Sequence, residues 1–318
     1  MWLLNATTKH LKPFLPDQVP PYAILSHTWD PTPDNEVLFS DFSSSAEASC
    51  GERVPLEQQP SARLKRSWRK VELTCAQALC DGYAWVWIDT CCIDKSSSSE
   101  LSEAINSMYA WYRDSGVCYA YLSDVPANVC LKLSRLEFRR SRWFTRGWTL
   151  QELLAPSKLV FFAMAATPGD GGWRSIGEKT ELSDLVASIT GIDIDILVDR
   201  ELLCSASIAQ RMSWASCRVT SRPEDMAYCL MGLFGVHMPM LYGEGAEKAF
   251  LRLQEEIMAS SVDQSLFAWR DEDAATRPSA KYGLLASSPL SFRDSSRIVP
   301  YQDWQCRPPY QMTNRGLQ

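Results

Sequence analysis

The period of the hydrophobic positions changes several times along the chain. Residues 22–26 (YAILS) form a short apolar run between Pro20-Pro21 and the polar stretch 27–31, which predicts a buried strand ending in a loop. From 61 to 79, Leu64, Trp68, Val71, Leu73, Cys75 and Leu79 recur at roughly helical spacing among lysines and arginines, so an amphipathic helix closed by Asp81-Gly82 is expected. Residues 83–89 (YAWVWID) are the next strand, and strand, helix, strand in succession predicts a parallel βαβ unit. The run Ser96 to Ser99 leads into Glu100 and Glu103, acids in the first turn of a helix reaching about Arg113. Residues 117–122 (VCYAYL) give a third strand, 139–154 a helix stopped by Ala155-Pro156, and 159–162 (LVFF) a fourth strand. The stretch 31–60, rich in serine, proline and acids, reads as a surface loop.

Short strands that are nearly all apolar, alternating with helices, predict an α/β fold with a parallel sheet covered on both faces. Ligands on such sheets sit at the carboxyl ends of the strands, which directs attention to 26–30, 89–94 and Ser123-Asp124. After a glycine loop at 169–172 the pattern becomes helical: 176–190, 203–216, 224–234 behind Pro223, and an amphipathic helix at 248–258. From Leu266 onward short irregular strands are expected. The chain therefore divides into an α/β domain, 1–165, with its core motifs at 22–156, and a second region, 166–318, helical and then short-stranded. The last residues, TNRGLQ, hold no stop signal, and the chain is expected to continue beyond them.

Composition narrows the function. The 318 residues are 46% hydrophobic and 22% charged, which excludes fibrous and wholly disordered classes. A net charge of -6 provides no basic field for a polyanion, so nucleic acid is not the expected partner. Twelve tryptophans exceed what a core of this size needs, and some are expected to line a site. The 11 cysteines form no C-x-x-C pair, which predicts reduced thiols, a cytoplasmic location and no zinc site. The opening MWLLNATTKHLKPF lacks the features of a secretory signal, and no apolar run is long enough to span a bilayer.

Three constellations carry candidate chemistry. Trp148 and Glu152 (WTLQE), four residues apart, would share a helix face and project an indole and a carboxylate together. Such a pair suits a flat cationic ring and a developing oxocarbenium charge; the alternative is a core Trp148 with Glu152 paired to Arg142 or Arg146. The loop Ser26-His27-Thr28-Trp29-Asp30 places a hydroxyl, an imidazole and an indole at a strand end, where His27 is either a base or a hydrogen-bonding loop residue. In Asp89-Thr90-Cys91-Cys92-Ile93-Asp94 the neighbouring acids oppose thiolate formation, so Cys91 and Cys92 read as structural thiols, with a cysteine hydrolase using His27 as the weaker option. Tyr242-Gly243-Glu244-Gly245 lacks a phosphate-binding pattern, and no metal-ligand motif is present.

YAILSHTW (22–29), WVWIDTCCIDKSSSSELSEAINSMYAWY (85–112), CYAYLSDV (118–125) and RGWTLQELLAP (146–156) resemble the fungal HET, or heterokaryon incompatibility, domain. Residues 211–257 resemble the segment that commonly follows it. The resemblance implies non-self recognition ending in programmed cell death, with self-association through the HET domain and NACHT-type or other incompatibility proteins as partners. HET domains are in turn similar to TIR domains, which implies a TIR-like, flavodoxin-like parallel sheet. WTLQE resembles the TIR motif Trp-Cys-Leu-x-Glu, with Thr149 in place of Cys, and His27-Thr28 replaces a Phe-Arg pair. The implied chemistry is cleavage of NAD at the nicotinamide–ribose bond, with NAD as substrate and no cofactor or metal required. In it Glu152 is the catalytic carboxylate, while Ser26, His27, Trp29, Asp89 and Trp148 contact the dinucleotide. The rival expectation is a non-enzymatic signalling module acting by homotypic assembly, with aromatic anchors at its interfaces.

Overall fold

The computed structural model describes residues 1–43, 60–126, 135–164, 172–271 and 283–300, and the backbone of 312–313 and 316–317. It divides into two compact units: 1–143 with 155–185, and 144–154 with 186–318.

The first unit is built on seven strands: β1 (Trp2–Asn5), β2 (Leu11–Pro13), β3 (Ala23–His27), β4 (Trp85–Trp87), β5 (Val117–Pro126), β6 (Leu159–Met164) and β7 (Trp173–Glu178). Their order is β2-β1-β4-β3-β5-β6-β7. The four strands expected from the sequence are the central ones, and all their pairings are parallel. Taken alone, they run second, first, third, fourth, which is the flavodoxin-like order, and the direction of winding reverses between β3 and β5. All five residues of β3 are buried, as a strand covered on both faces requires. Antiparallel strands flank the parallel core: β1 and β2 on one side, β7 on the other.

Both flanks depart from the sequence reading. The opening residues form a hairpin in which the Asn5 Oδ1 accepts the backbone N–H groups of Thr7 and Thr8. Residues 176–178, expected as the start of a helix, belong to β7; the helix follows at Ser183–Thr190. Trp173 decides this, because its ring lies 5.1 Å from those of both Tyr121 and Phe162 across the sheet. Helix Ser98–Asp114 starts as expected, with the Ser97 hydroxyl accepting from the Glu100 N–H, and its Tyr112 hydroxyl donates to the Leu25 carbonyl at 2.9 Å.

Two expected helices are interrupted. The one over 61–79 breaks into Pro60–Leu64 and Trp68–Cys80, because the Ser67 hydroxyl accepts the Val37 N–H and the Ser67 N–H donates to Asn35. The one over 139–154 becomes Leu136–Arg139, a 3-10 turn at Arg142–Thr145 and Thr149–Leu154. In the first unit, Asp124 takes the Ser141 hydroxyl and the Arg142 N–H; in the second, Gly147 and Thr145 exchange backbone bonds with Val219. Of the expected surface loop 31–60, residues 44–59 lie outside the described residues, as do 169–171 of the glycine loop.

The second unit is mainly helical. Helix Ile208–Ala215 opens with a capping box between Ser207 and Gln210, and helix Ala246–Ser260 buries Phe250, Leu253 and Ile257. Short helices Asp225–Tyr228 and Met231–Phe234 replace the expected continuous 224–234, the latter ending at Gly235 with φ 68°. Beyond Leu266 lie 3-10 turns and a two-strand ladder at Met312–Thr313 and Gly316–Leu317. Among the described residues no helix is long and apolar enough to cross a membrane.

Candidate functional site

The carboxyl ends of β3, β4 and β5 hold a connected set of polar side chains at the point where the winding reverses. His27 ends β3, and its Nε2 lies 2.9 Å from Asp89 Oδ1, two residues beyond β4. The other Asp89 oxygen accepts the Trp29 indole N–H at 2.8 Å. On the far side of the imidazole, Lys70 Nζ stands 2.8 Å from His27 Nδ1 and 2.7 Å from Glu36 Oε1. Nδ1 also stands 3.2 Å from the Thr28 carbonyl, so the imidazole is held through both ring nitrogens. Glu36 also receives the Asp30 N–H at 2.8 Å, which ties the loop after β3 to the same network.

Burial pushes the Asp89 carboxyl upward, but its interaction with His27, the N–H bonds from His27 and Trp29, and the nearby Lys95 ammonium outweigh this. The carboxyl is held well below the usual carboxylate range. Trp29 is 48% exposed, and Lys95 Nζ sits 3.7 Å over its ring. Ser26 is fully enclosed, and its hydroxyl accepts the Trp143 indole N–H at 2.7 Å. Thus His27, Trp29 and Asp89 come together, while Ser26 lies behind them supporting a core indole.

Trp148 and Glu152 belong to the second unit. Trp148 directly precedes the Thr149–Leu154 helix, all six residues of which are buried; Glu152 is 7% exposed. The half-buried Trp148 donates its indole N–H to Asp225 Oδ2 at 3.3 Å, and Tyr242 donates to the other Asp225 oxygen at 2.9 Å. Burial pushes the Asp225 carboxyl up against those bonds. The Glu152 charge acts on Arg218. Arg218 is buried, which lowers its guanidinium to about 10 while the Cys229 and Glu152 charges oppose the drop. Its Nη1 donates to the Arg146 carbonyl and the Thr149 hydroxyl, so the start of the WTLQE segment is bonded into its unit.

Tyr242-Gly243-Glu244-Gly245 also acquires a structural role. The N–H groups of Gly243 and Gly245 converge on Glu224 Oε1 at 2.9 and 3.0 Å, so an internal carboxylate fills the position an anion would take. Cys91 and Cys92 are buried, which raises the first thiol well above its usual range and the second to about 12; this gives no support to a cysteine nucleophile. Among the described residues no cluster of His, Cys, Asp and Glu could hold a metal ion. Lys70, Glu36, Arg218 and Asp225 escaped the sequence reading. Arg218 and Asp225 left no signal, since they sit in the polar stretch 216–225 (SCRVTSRPED) among other charges.

The strand order defines the first unit as a doubly wound α/β domain with a polar cluster at its switch point. Residues 22–140 match the family described as Heterokaryon incompatibility protein (HET), and 248–307 match a domain of unknown function, DUF8212. Over 244 residues, 76% of its length, the chain is 42% identical to the Vegetative incompatibility protein HET-E-1 of Podospora anserina. That match spans 16% of the relative's own length. The chain belongs to the fungal HET-domain proteins. No solved structure matches it significantly.

Proposed function

We propose that the protein acts in heterokaryon incompatibility and that its HET domain cleaves NAD at the nicotinamide–ribose bond when copies of the chain come together. The incompatibility role is supported by the family match and by the relative's name. The observation that carries the chemical reading is Glu152, a carboxylate with 7% exposure beside a buried guanidinium, in the segment that resembles the TIR catalytic motif. A carboxylate with little water around it stabilises an oxocarbenium-like sugar strongly. The glycosidic C–N bond breaks and its electron pair leaves with nicotinamide, whose ring is cationic beforehand and neutral afterwards. Water adds a hydroxyl to the ribose and gives up a proton, so no metal is needed. In this reading Trp148 stacks on a ring of the dinucleotide beside Glu152, while in the α/β unit Trp29, covered on one face by Lys95, offers its other face to a ring. His27 and Asp89 contact ribose or phosphate, with His27 held between Asp89 and Lys70 and Asp89 held by His27 and Trp29. Ser26 supports this edge from behind through Trp143.

Incubation of concentrated purified protein with NAD, with nicotinamide followed chromatographically, is expected to show release. Glu152→Gln should reduce it at least about 100-fold, the scale on which one transition-state contact acts. Because Arg218 feels the Glu152 charge, the variant's melting curve is recorded alongside to establish that it is folded at the assay temperature. Release unchanged in the folded variant overturns the reading. A second reading, a non-enzymatic module acting by homotypic assembly, is favoured by the bonding of Trp148 to Asp225 and of Thr149 to Arg218, which suits a structural segment. It predicts no release from the unaltered protein and a cell-death response indifferent to Glu152→Gln.

A further inference from the structure

The second unit carries an open cavity of about 630 Å³ around Gly191–Ser205, far along the chain from the WTLQE segment. Its floor is apolar, with Ala187, Ile192 and Ile196, and its lip includes Ile194 and Leu202, exposed by 41% and 40%. Two large aliphatic side chains turned toward water at a concave site are not needed to close the core, where Ile192 and Ile196 are buried. The rim is strongly acidic: Asp193 and Asp195 line the cavity, and exposed Asp199 and Glu201 stand nearby. The one basic side chain among them, Arg200, is paired with Glu201 at 3.4 Å. An occupant of this groove therefore has an apolar anchor with basic flanks.

The first unit presents such a segment. Leu64 ends the short helix Pro60–Leu64 and is 84% exposed, the highest value among the large hydrophobic side chains of the described residues. Exposed Arg63 and Arg66 stand on either side of it. Lys65 adds no free charge, because its ammonium is held by Asp41 at 2.7 Å.

We infer that the chain associates with a second copy of itself head to tail, the Leu64 knob of one copy seated in the Ile194–Leu202 groove of the next, with Arg63 and Arg66 facing Asp193 and Asp195. Knob and groove are different surfaces of the same chain, so the contact is heterologous. Each copy keeps one of each unused, and assembly propagates into a ring or an open filament. This gives a surface to the self-association in the function proposed above, and it rests on that reading only for its biological purpose.

Sedimentation velocity over a concentration series is expected to show oligomers of the unaltered protein that weaken as salt rises from about 0.05 to about 0.5 M. Leu64→Glu, which keeps the groove, and the double variant Asp193→Lys/Asp195→Lys, which keeps the knob, should each associate at least about tenfold more weakly. All three substituted positions are exposed, so folding is little affected. Mixed, the two variants should form a 1:1 dimer and nothing larger, because only one complementary pair of surfaces remains. Unaltered protein that stays monomeric, a single variant that assembles normally, or a mixture that fails to dimerise each overturns the proposal. A monomeric result would leave the groove to a foreign basic partner. Nicotinamide release in the same samples is a separate readout, so loss of association and loss of chemistry are told apart.

Discussion

Lys70 is almost completely buried, with its Nζ 2.7 Å from Glu36 Oε1 and 2.8 Å from His27 Nδ1. Lys70→Met would leave the buried Glu36 carboxylate without its counter-ion, and breaking one side of such a pair costs about 3–5 kcal/mol. Urea denaturation should register a loss of that size; a loss under about 1 kcal/mol would mean that Glu36 finds compensation elsewhere. Asp89 works in the opposite pH direction from a buried base. Its native pKa lies below the value of about 3.9 for an unfolded aspartate, so its stabilising contribution is complete above that value and drains away as pH falls below it toward the native pKa. Asp89→Asn should therefore lower stability at neutral pH and flatten the acid limb of the stability profile. An unchanged acid limb would show that other carboxylates govern it. The meeting of His27, Trp29 and Asp89 was legible because strand-end loops of a parallel sheet converge. Lys70 and Glu36 were not legible, since a helix position and a loop position acquire a common neighbour only through packing.

At the scale of elements, the parallel strands and the helices over 98–114 and 246–260 follow the hydrophobic period closely. The 61–79 and 139–154 helices were over-extended, and the cause is the same in both: backbone or side-chain groups at Ser67, Ser141 and Gly147 find tertiary partners better placed than the next helical turn. Gly147 shows how close the approach is, since a Cβ there would meet Thr220 Cγ2 at 2.5 Å. The Tyr242–Gly245 turn feeds helix Ala246–Ser260 through two left-handed residues, Gly243 at φ 101° and Gly245 at φ 87°. An added Cβ at Gly245 meets nothing within 4 Å, so the cost of Gly245→Ala is conformational rather than steric. A loss of about 1–2 kcal/mol is expected in thermal or urea unfolding, and no loss would mean that the turn relaxes to negative φ.

For the whole molecule, the six residues singled out for NAD chemistry divide between two compact units, four in the α/β unit and two in the helical one. The proposed chemistry and the proposed assembly are separable by substitution. Glu152→Gln should leave sedimentation unchanged while nicotinamide release falls, and Leu64→Glu should lower release only at concentrations where the unaltered protein assembles. Equal release from Leu64→Glu at every concentration would detach the chemistry from assembly. The sequence by itself determined the α/β class, the parallel core strands and the family, because apolar periodicity and local motifs are properties of neighbouring residues. Only the tertiary structure decided that Ser26 is enclosed, that Trp148 is bonded to Asp225, that Arg218 stands by Glu152, and that acids and aliphatic side chains from 187–205 close around a groove. Those facts depend on which distant groups become neighbours when backbone and buried charges must all find partners, and no spacing along the chain encodes that choice.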